Sequence, residues 1–412
     1  MRYVAPSGAP IGPGDLARWL GVRARSVDAR ADLARVLAGR FQVTAAVPMS
    51  TGRAAMVVAL QALRDLADPR RTDVVIPSYT CYSVAASVAK AGLTLRVADI
   101  RPATLDFEEA LAHMDHSRTL AVIATNLFGF PSDFVRLRAI AAQSGVALVD
   151  DAAQAFGAES GGEAVGTRGD IGILSFDKGK NVSAMACGAI LCRDSTAEAV
   201  LRRVALLAAP RMDEEIALVL KAFVYTLLLP PSMYWIPNSL PWLGLGQTRY
   251  TLDYPLELST SNAASLVTTM LRRAPAFTER RRANAAALAA ALRGVPGVTP
   301  VAEQAGTRAA YLRFPLLVDH ALRPRLIAAL TAAGIGATTS YPTAIPDIPD
   351  LREALAGVVA TGGREVAARI VTLPTHPFVT SRDIETMAAT IIRVTGGRDR
   401  EAAAGEPSRS IA

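Results

Sequence analysis

Two lysines sit in the heptapeptide Ser175-Phe176-Asp177-Lys178-Gly179-Lys180-Asn181, and the chain has only two others, Lys90 and Lys221. Of the 44 basic residues 40 are therefore Arg, and lysine is concentrated in one turn. A guanidinium stays protonated and forms no bond to a carbonyl carbon; a lysine amine, once desolvated, can. Two further stretches invite chemistry. Thr51-Gly52-Arg53 opens a helical run and offers backbone N–H groups, a hydroxyl and a positive dipole end, which suit a phosphate. Asp151-Ala152-Ala153-Gln154 follows an apolar run and would set a carboxylate beside an amide. Each has a plainer reading: solvated turn lysines in the first case, helix caps at Thr51 and Asp151 in the others.

The elements that must position these residues read as strand–helix units. Residues 171–174 form a short buried strand before the lysine turn, 146–149 a strand ending at Asp150-Asp151, and 49–52 the approach to a helix over 53–66. Between them come a strand at 74–76, a helix at 83–91, strands at 95–97 and 120–124, and a helix at 133–143. Such alternation predicts an α/β fold with a mostly parallel central sheet and helices on both faces. Ligands in such sheets bind outside the carboxyl ends of the strands, where all three stretches fall. Ahead lies a helical arm (1–40); the large α/β domain is expected over 41–265, a smaller C-terminal α+β domain over 266–395, and a disordered tail over 396–412. The small domain should hold a strand at 311–317, helices at 321–333 and 384–394, and a capping pair, Thr380 and Asp383.

Composition narrows the function. Hydrophobic residues make up 51% and charged residues 20%, a globular balance. The net charge of +7 is spread as scattered Arg, with no basic block or aromatic interleaving, which argues against nucleic acid. Three cysteines, Cys81, Cys187 and Cys192, and four histidines lack metal-type spacing, so no metal is expected and a reducing cytoplasm fits. His376 and Cys187 read as structural. No signal peptide is evident at the start of the chain. An apolar insert over 214–246 carries the run 216–229 and then Trp235 and Trp242. Fourteen residues are too few to span a bilayer. The run reads as core or dimer interface, or as a peripheral membrane contact through 216–243.

A phosphate cradle, a buried carboxylate and a turn lysine together are what pyridoxal 5'-phosphate requires: an amine to hold the aldehyde, a carboxylate for the pyridine nitrogen, an anchor for the phosphate. At this point the chain resembles the DegT/DnrJ/StrS family of fold type I pyridoxal phosphate aminotransferases, over residues 10–395. The resemblance rests on Pro77-Ser78-Tyr79-Thr80, on Val97-Ala98-Asp99-Ile100, on Phe128-Gly129-Phe130-Pro131 and on Asp150-Asp151-Ala152-Ala153-Gln154. It continues through Gly169-Asp170, Ser175-Phe176 and Lys180, and through Tyr341-Pro342 and Leu373-Pro374. It implies Lys180, not Lys178, as the Schiff-base lysine, Asp151 at the pyridine nitrogen, and Gln154 by the ring hydroxyl. Ser175 with Thr51, Gly52 and Arg53 would hold the phosphate, and Tyr341 would meet substrate. Three departures stand out. Met185-Ala186-Cys187-Gly188 replaces a Gly-Glu-Gly-Gly segment. Cys81 replaces the ring-stacking aromatic, a role left to Tyr82 or another ring. The Asn-x-Arg segment that reaches the partner subunit is missing near Leu256 and Leu258.

The resemblance implies a homodimeric, cytoplasmic aminotransferase that passes an amino group, with glutamate as donor, to a nucleotide-activated keto-sugar. Three rivals remain. One is the same chemistry on a lipid-linked or other non-nucleotide substrate at the membrane surface. Another is a sugar dehydratase using the same cofactor, which the retained Lys180 disfavours. The third is a catalytically silent scaffold or regulatory protein of the same fold.

Overall fold

The computed structural model describes residues 2–240 and 248–404, the side chains of 397–404 excepted. The elements are helices α1 (Pro13–Arg25) and α2 (Ala29–Phe41), strand β1 (Ala45–Met49), helix α3 (Gly52–Leu66), β2 (Asp73–Pro77), α4 (Tyr82–Lys90), β3 (Thr94–Ala98), β4 (Thr119–Thr125), α5 (Phe134–Ser144), β5 (Ala147–Asp151), β6 (Ile171–Ser175), β7 (Gly188–Cys192), α6 (Asp194–Val204), α7 (Met212–Leu228), α8 (Ser261–Met270), α9 (Ala274–Ala291), β8 (Val298–Pro300), β9 (Phe314–Val318), α10 (Arg323–Ala332), α11 (Thr361–Arg369), β10 (Ile370–Leu373) and α12 (Ser381–Ala404). The expected strand–helix alternation holds from β1 to β6.

The central sheet runs β1-β7-β6-β5-β4-β2-β3. Only β7 opposes the others, pairing antiparallel with both β1 and β6. This reversal matters for the site. Gly188, the first residue of β7, lies opposite Met49 on one side and Ser175 on the other. Two strand spacings, about 10 Å, therefore separate the ends of β1 and β6. Helix α3, which begins three residues after β1, is brought against Ser175 as a consequence.

The strands are Val/Ile/Leu-rich and buried on both faces, as parallel sheets covered by helices are. Every residue of β2, β4, β6 and β7 is buried. Helix α3 is the central cover, with nine buried residues from Ala54 to Leu63. Thr51 caps it, its Oγ1 accepting from the Ala54 N–H at 3.1 Å.

A second, antiparallel sheet, β8-β9-β10, carries the C-terminal unit. The capping pair expected there is present: Asp383 accepts from the Thr380 N–H at 2.8 Å, and Thr380 Oγ1 from the Asp383 N–H at 3.3 Å. The N-terminal arm divides in two. Helices α1 and α2 pack on α8, where the Trp19 indole donates to the Asn262 carbonyl at 3.0 Å. Residues 2–9 instead lie on the C-terminal unit: Val4 forms a parallel bridge with Ile335, and His376 Nε2 bonds the Ala5 carbonyl at 2.8 Å. Helix α12 continues through Ala404; the rest of the expected tail, residues 405–412, lies outside the described residues.

Among the described residues of the apolar insert, helix α7 gives only part of one face to the core. Only Leu218 and Ala222 of α7 are buried, while Met212, Ile216, Leu220, Phe223, Val224 and Leu227 are exposed. Trp235 is exposed; Trp242 lies outside the described residues.

Candidate active site

Successive side chains of a strand point to opposite faces, which separates the two aspartates at the end of β5. Asp150 turns inward to a sealed network. It pairs with Arg168 at 2.8 Å, both side chains essentially without exposure, and accepts from the Asn126 amide at 2.9 Å and the Gly166 N–H at 2.7 Å. Asp151 turns to the cleft. One of its oxygens accepts from the Ala153 N–H at 3.0 Å. Burial pushes its carboxyl up to about 6, an effect the Ala153 N–H and the positive charge of Lys180 offset only in part. A buried carboxyl in this state lacks a close cationic partner.

The cleft, about 570 Å³, lies at the carboxyl ends of β1, β5 and β6. Thr51, Gly52, Arg53, Asp151, Ser175 and Lys180 all line it. A smaller recess shared by Asp151 and Lys180 adds Gln154, Asn126 and Thr80. Lys180 is thus common to both spaces, whereas Lys178 lines neither.

Helix α3 points its first turn at Ser175. The amides of Gly52 and Arg53 are first-turn donors that the helix itself leaves unused. Close approach is needed here: a Cβ on Gly52 would meet Ser175 Cβ at 3.0 Å, and one on Gly188 would meet the Gly52 nitrogen at 2.4 Å. Both glycines keep the cradle compact. The Arg53 guanidinium stacks on the Tyr254 ring at 4.6 Å. The stacking holds the Arg53 charge at the rim of the cleft and leaves its backbone amide at the first turn of α3.

Gln154 is held on both ends of its amide. Its Oε1 accepts from the Phe128 N–H at 3.1 Å, and its Nε2 donates to the Tyr341 hydroxyl at 2.8 Å. The Tyr341 ring stacks on Phe128 with centroids 6.5 Å apart. Burial raises the Tyr341 phenol well above its ordinary value, and contact with Cys81 adds to this.

Tyr82 is not among the residues that line the cleft. Its ring is buried and its hydroxyl sits 2.6 Å from Thr343 Oγ1, away from the cleft, because it is the first residue of α4 and faces the C-terminal unit. Cys81 is what lines the wall, its Sγ accepting from Ser83 Oγ at 2.9 Å. The replaced Gly-rich segment keeps a glycine-like backbone: Met185 has φ 66° and Cys187 φ 88°. His376 and Cys187 are structural as expected, both buried, with His376 held far down to about 3 and Cys187 pushed up to about 12 by desolvation.

The sequence reading assigned no role to Asp177, which also lines the cleft. Burial raises its carboxyl despite the Lys178 N–H and the charges of Lys180, Lys178 and Arg53. Thr248, Arg249 and Thr251 complete the rim from a segment that carries no motif.

The donor set fits pyridoxal phosphate: an anion cradle at one end, a buried carboxyl at the other and one amine between. Sheet order and cleft place the molecule in fold type I of the pyridoxal phosphate-dependent enzymes. Residues 25–392 match the DegT/DnrJ/EryC1/StrS aminotransferase family, and the chain belongs to it. Among curated relatives, the UDP-N-acetyl-3-dehydro-alpha-D-glucosamine 3-aminotransferase of Acidithiobacillus ferrooxidans is 31% identical over 192 residues, 45% of this chain and 47% of that one. The UDP-2-acetamido-2-deoxy-3-oxo-D-glucuronate aminotransferase of Pseudomonas aeruginosa is 24% identical over 77% of this chain and 78% of its own. The alignments with several other curated relatives span less than half of their length. The fold is that of Helicobacter pylori PseC, an aminotransferase of pseudoaminic acid biosynthesis, with a TM-score of 0.79 at 14% identity over 96% of this chain and all of that one.

Proposed function

We propose that the chain is a pyridoxal phosphate-dependent aminotransferase that moves an amino group from an amino acid, glutamate by family analogy, to a nucleotide-linked keto-sugar. The observation that carries this reading is the meeting of the Lys180 amine and the Asp151 carboxyl in one cleft, with the Thr51–Gly52–Ser175 cradle at its phosphate end. The cofactor, when bound, supplies an electron sink that makes a C–H bond beside nitrogen acidic. Thr51, Gly52, Arg53 and Ser175 hold its phosphate, and Asp151 keeps its ring nitrogen protonated. The Lys180 amine would move the proton of the donor's C–H bond as general base and acid. Gln154, locked to Tyr341, would lie by the cofactor's ring hydroxyl.

Incubation with 15N-labelled L-glutamate and a UDP-linked 3-keto-N-acetylhexosamine tests the reading. Mass spectrometry should find one labelled nitrogen in the sugar nucleotide, and none with Lys180→Ala. Loss of a hydroxyl without labelling would instead favour the dehydratase.

The working unit is a homodimer, a reading supported by the exposed stripe of α7. Lipid contact is the second reading of that stripe, favoured by Trp235 beside it. Three acidic residues in the first turn of α7, Asp213, Glu214 and Glu215, weigh against an anionic membrane. No helix among the described residues is long and apolar enough to cross a membrane. The scaffold reading is disfavoured by the intact amine and carboxyl.

A further inference from the structure

The amide of Gln154 is held in one orientation, and the hold continues outward through Tyr341 to Cys81. A backbone N–H can only donate, so the Phe128 N–H, 3.1 Å away, fixes Gln154 Oε1 at its end of the amide and Nε2 at the other. Phe128 itself holds φ at 55°, a left-handed value rare outside glycine that persists only where the surroundings impose it. Nε2 donates one hydrogen to the Tyr341 hydroxyl at 2.8 Å, which leaves its second hydrogen over. Burial keeps the Tyr341 phenol protonated, and that proton goes to the Cys81 sulfur. The same sulfur accepts from Ser83 Oγ at 2.9 Å.

Where the remaining amide hydrogen can act follows from which residues line which space. Gln154 lines the recess and not the larger space, whereas Thr51, Gly52 and Ser175 line the larger space and not the recess. Lys180 and Asp151 line both. A pyridoxal ring set between that amine and that carboxyl has two edges, one bearing the phosphate arm and the other the ring hydroxyl. With the phosphate at α3, the hydroxyl edge is the one toward the recess. Tyr341 is not among the residues that line either space, so it reaches the ring only through Gln154. The chain ends on Cys81, which lines both and offers an accepting sulfur.

We propose that Tyr341 and Cys81 are positioning residues, whose hydroxyl and sulfur lock Gln154 so that its remaining amide hydrogen donates to the cofactor's ring oxygen. The inference rests on the cofactor reading above and makes Tyr341 a partner of Gln154 rather than a substrate contact. A donor beside that oxygen favours it as an anion, so the proton it shares with the nitrogen of Lys180 leaves at lower pH. Removing either outer partner loosens the amide, weakens the donor and moves that loss to higher pH.

The test is a pH titration of the visible absorption band of cofactor-loaded wild type, Tyr341→Phe, Cys81→Val and Cys81→Ser, with no substrate present. Tyr341→Phe keeps the ring that stacks on Phe128, and Cys81→Val keeps the bulk at the wall, yet both break the chain. Each should raise the midpoint of the titration by about half a unit to one unit. Cys81→Ser keeps an acceptor and should titrate like wild type, a rescue that a packing role for the thiol would not give. If Cys81→Val does not fold, Tyr341→Phe carries the test alone. The double variant, Tyr341→Phe with Cys81→Val, should shift no further than either single one, because both cut one chain. Unchanged midpoints, a Cys81→Ser shift as large as that of Cys81→Val, or single shifts that add in the double variant each overturn the proposal. A wild type that never forms the band overturns the cofactor reading and the proposal with it. The expected shifts in a protein that transfers no amine uphold the chain and overturn the aminotransferase reading.

Discussion

Asp151 illustrates how one carboxyl is prepared by what surrounds it. Without a cationic ring nitrogen beside it, the folded protein holds its proton up to a pH of about 6, against 3.8 for an ordinary aspartate. The folded state therefore binds more protons than the unfolded chain between those values, and stability contributed by this site falls as pH rises through them. By pH 7 the loss is about 3 kcal/mol at 1.36 kcal/mol per unit. Denaturant titrations of cofactor-free protein at pH 4 and pH 7 should show it as a fall in wild type that Asp151→Asn lacks. Parallel curves for the two proteins would mean the carboxyl is not buried as described.

Asp177 brings negative charge to the cleft where the phosphate must bind. Replacing it with Asn removes a like charge, so Asp177→Asn should bind pyridoxal phosphate severalfold more tightly at pH 8. The gap should narrow as pH falls and the wild-type carboxyl, raised by burial, takes up its proton. Equal affinities across that range would place Asp177 out of electrostatic reach of the phosphate.

At the scale of elements, the segment from Met185 to Gly188 connects the lysine turn to β7 in a conformation that suits glycine. L-residues at φ 66° and 88° cost about 1–2 kcal/mol each. Met185 offsets this by burying its side chain. Once that side chain is cut away, the backbone decides the order of the variants: Met185→Gly should be more stable than Met185→Ala by about 1 kcal/mol, the reverse of the usual ranking. Thermal unfolding of the two checks it. Met185→Ala emerging as the more stable would show that the backbone relaxes out of the left-handed region.

The same segment shows where the sequence was legible. Strands 171–174 and 146–149 announced themselves by continuous apolar runs, and their carboxyl ends located Asp151, Ser175 and Lys180 by a general rule of parallel sheets. Strand β7 was harder to see because it is antiparallel and begins just after residues that resemble a broken glycine loop. That Tyr82 turns from the cleft was not legible, because adjacency in the chain says nothing about which way the first residue of a helix points.

In the whole molecule the cleft lies at the carboxyl ends of the large central sheet, and the antiparallel β8-β9-β10 sheet carries the C-terminal unit. Residues 2–9 cross from the large unit to the C-terminal one, where Val4 sits in the core with Leu326, Leu330 and Ile335. Outside, α7 leaves a row of apolar side chains bare, more than scattered surface hydrophobes would explain. If this row is the seam of a homodimer, Ile216→Glu with Leu220→Glu should shift sedimentation from dimer to monomer while leaving the fold intact by circular dichroism. A dimer unaffected by both charges would move the interface elsewhere, and flotation with liposomes that the same double variant abolishes would point to lipid.

The central claim is that Lys180 and Asp151 share one cofactor and pass an amino group through it. Its most direct test is the visible absorption of the purified protein with pyridoxal phosphate, before and after excess L-glutamate. A band at roughly 400–430 nm, characteristic of cofactor joined to a lysine, should form in wild type, disappear on adding glutamate and be absent in Lys180→Ala. A wild type that never forms the band, or a Lys180→Ala variant that forms it unchanged, would contradict the account.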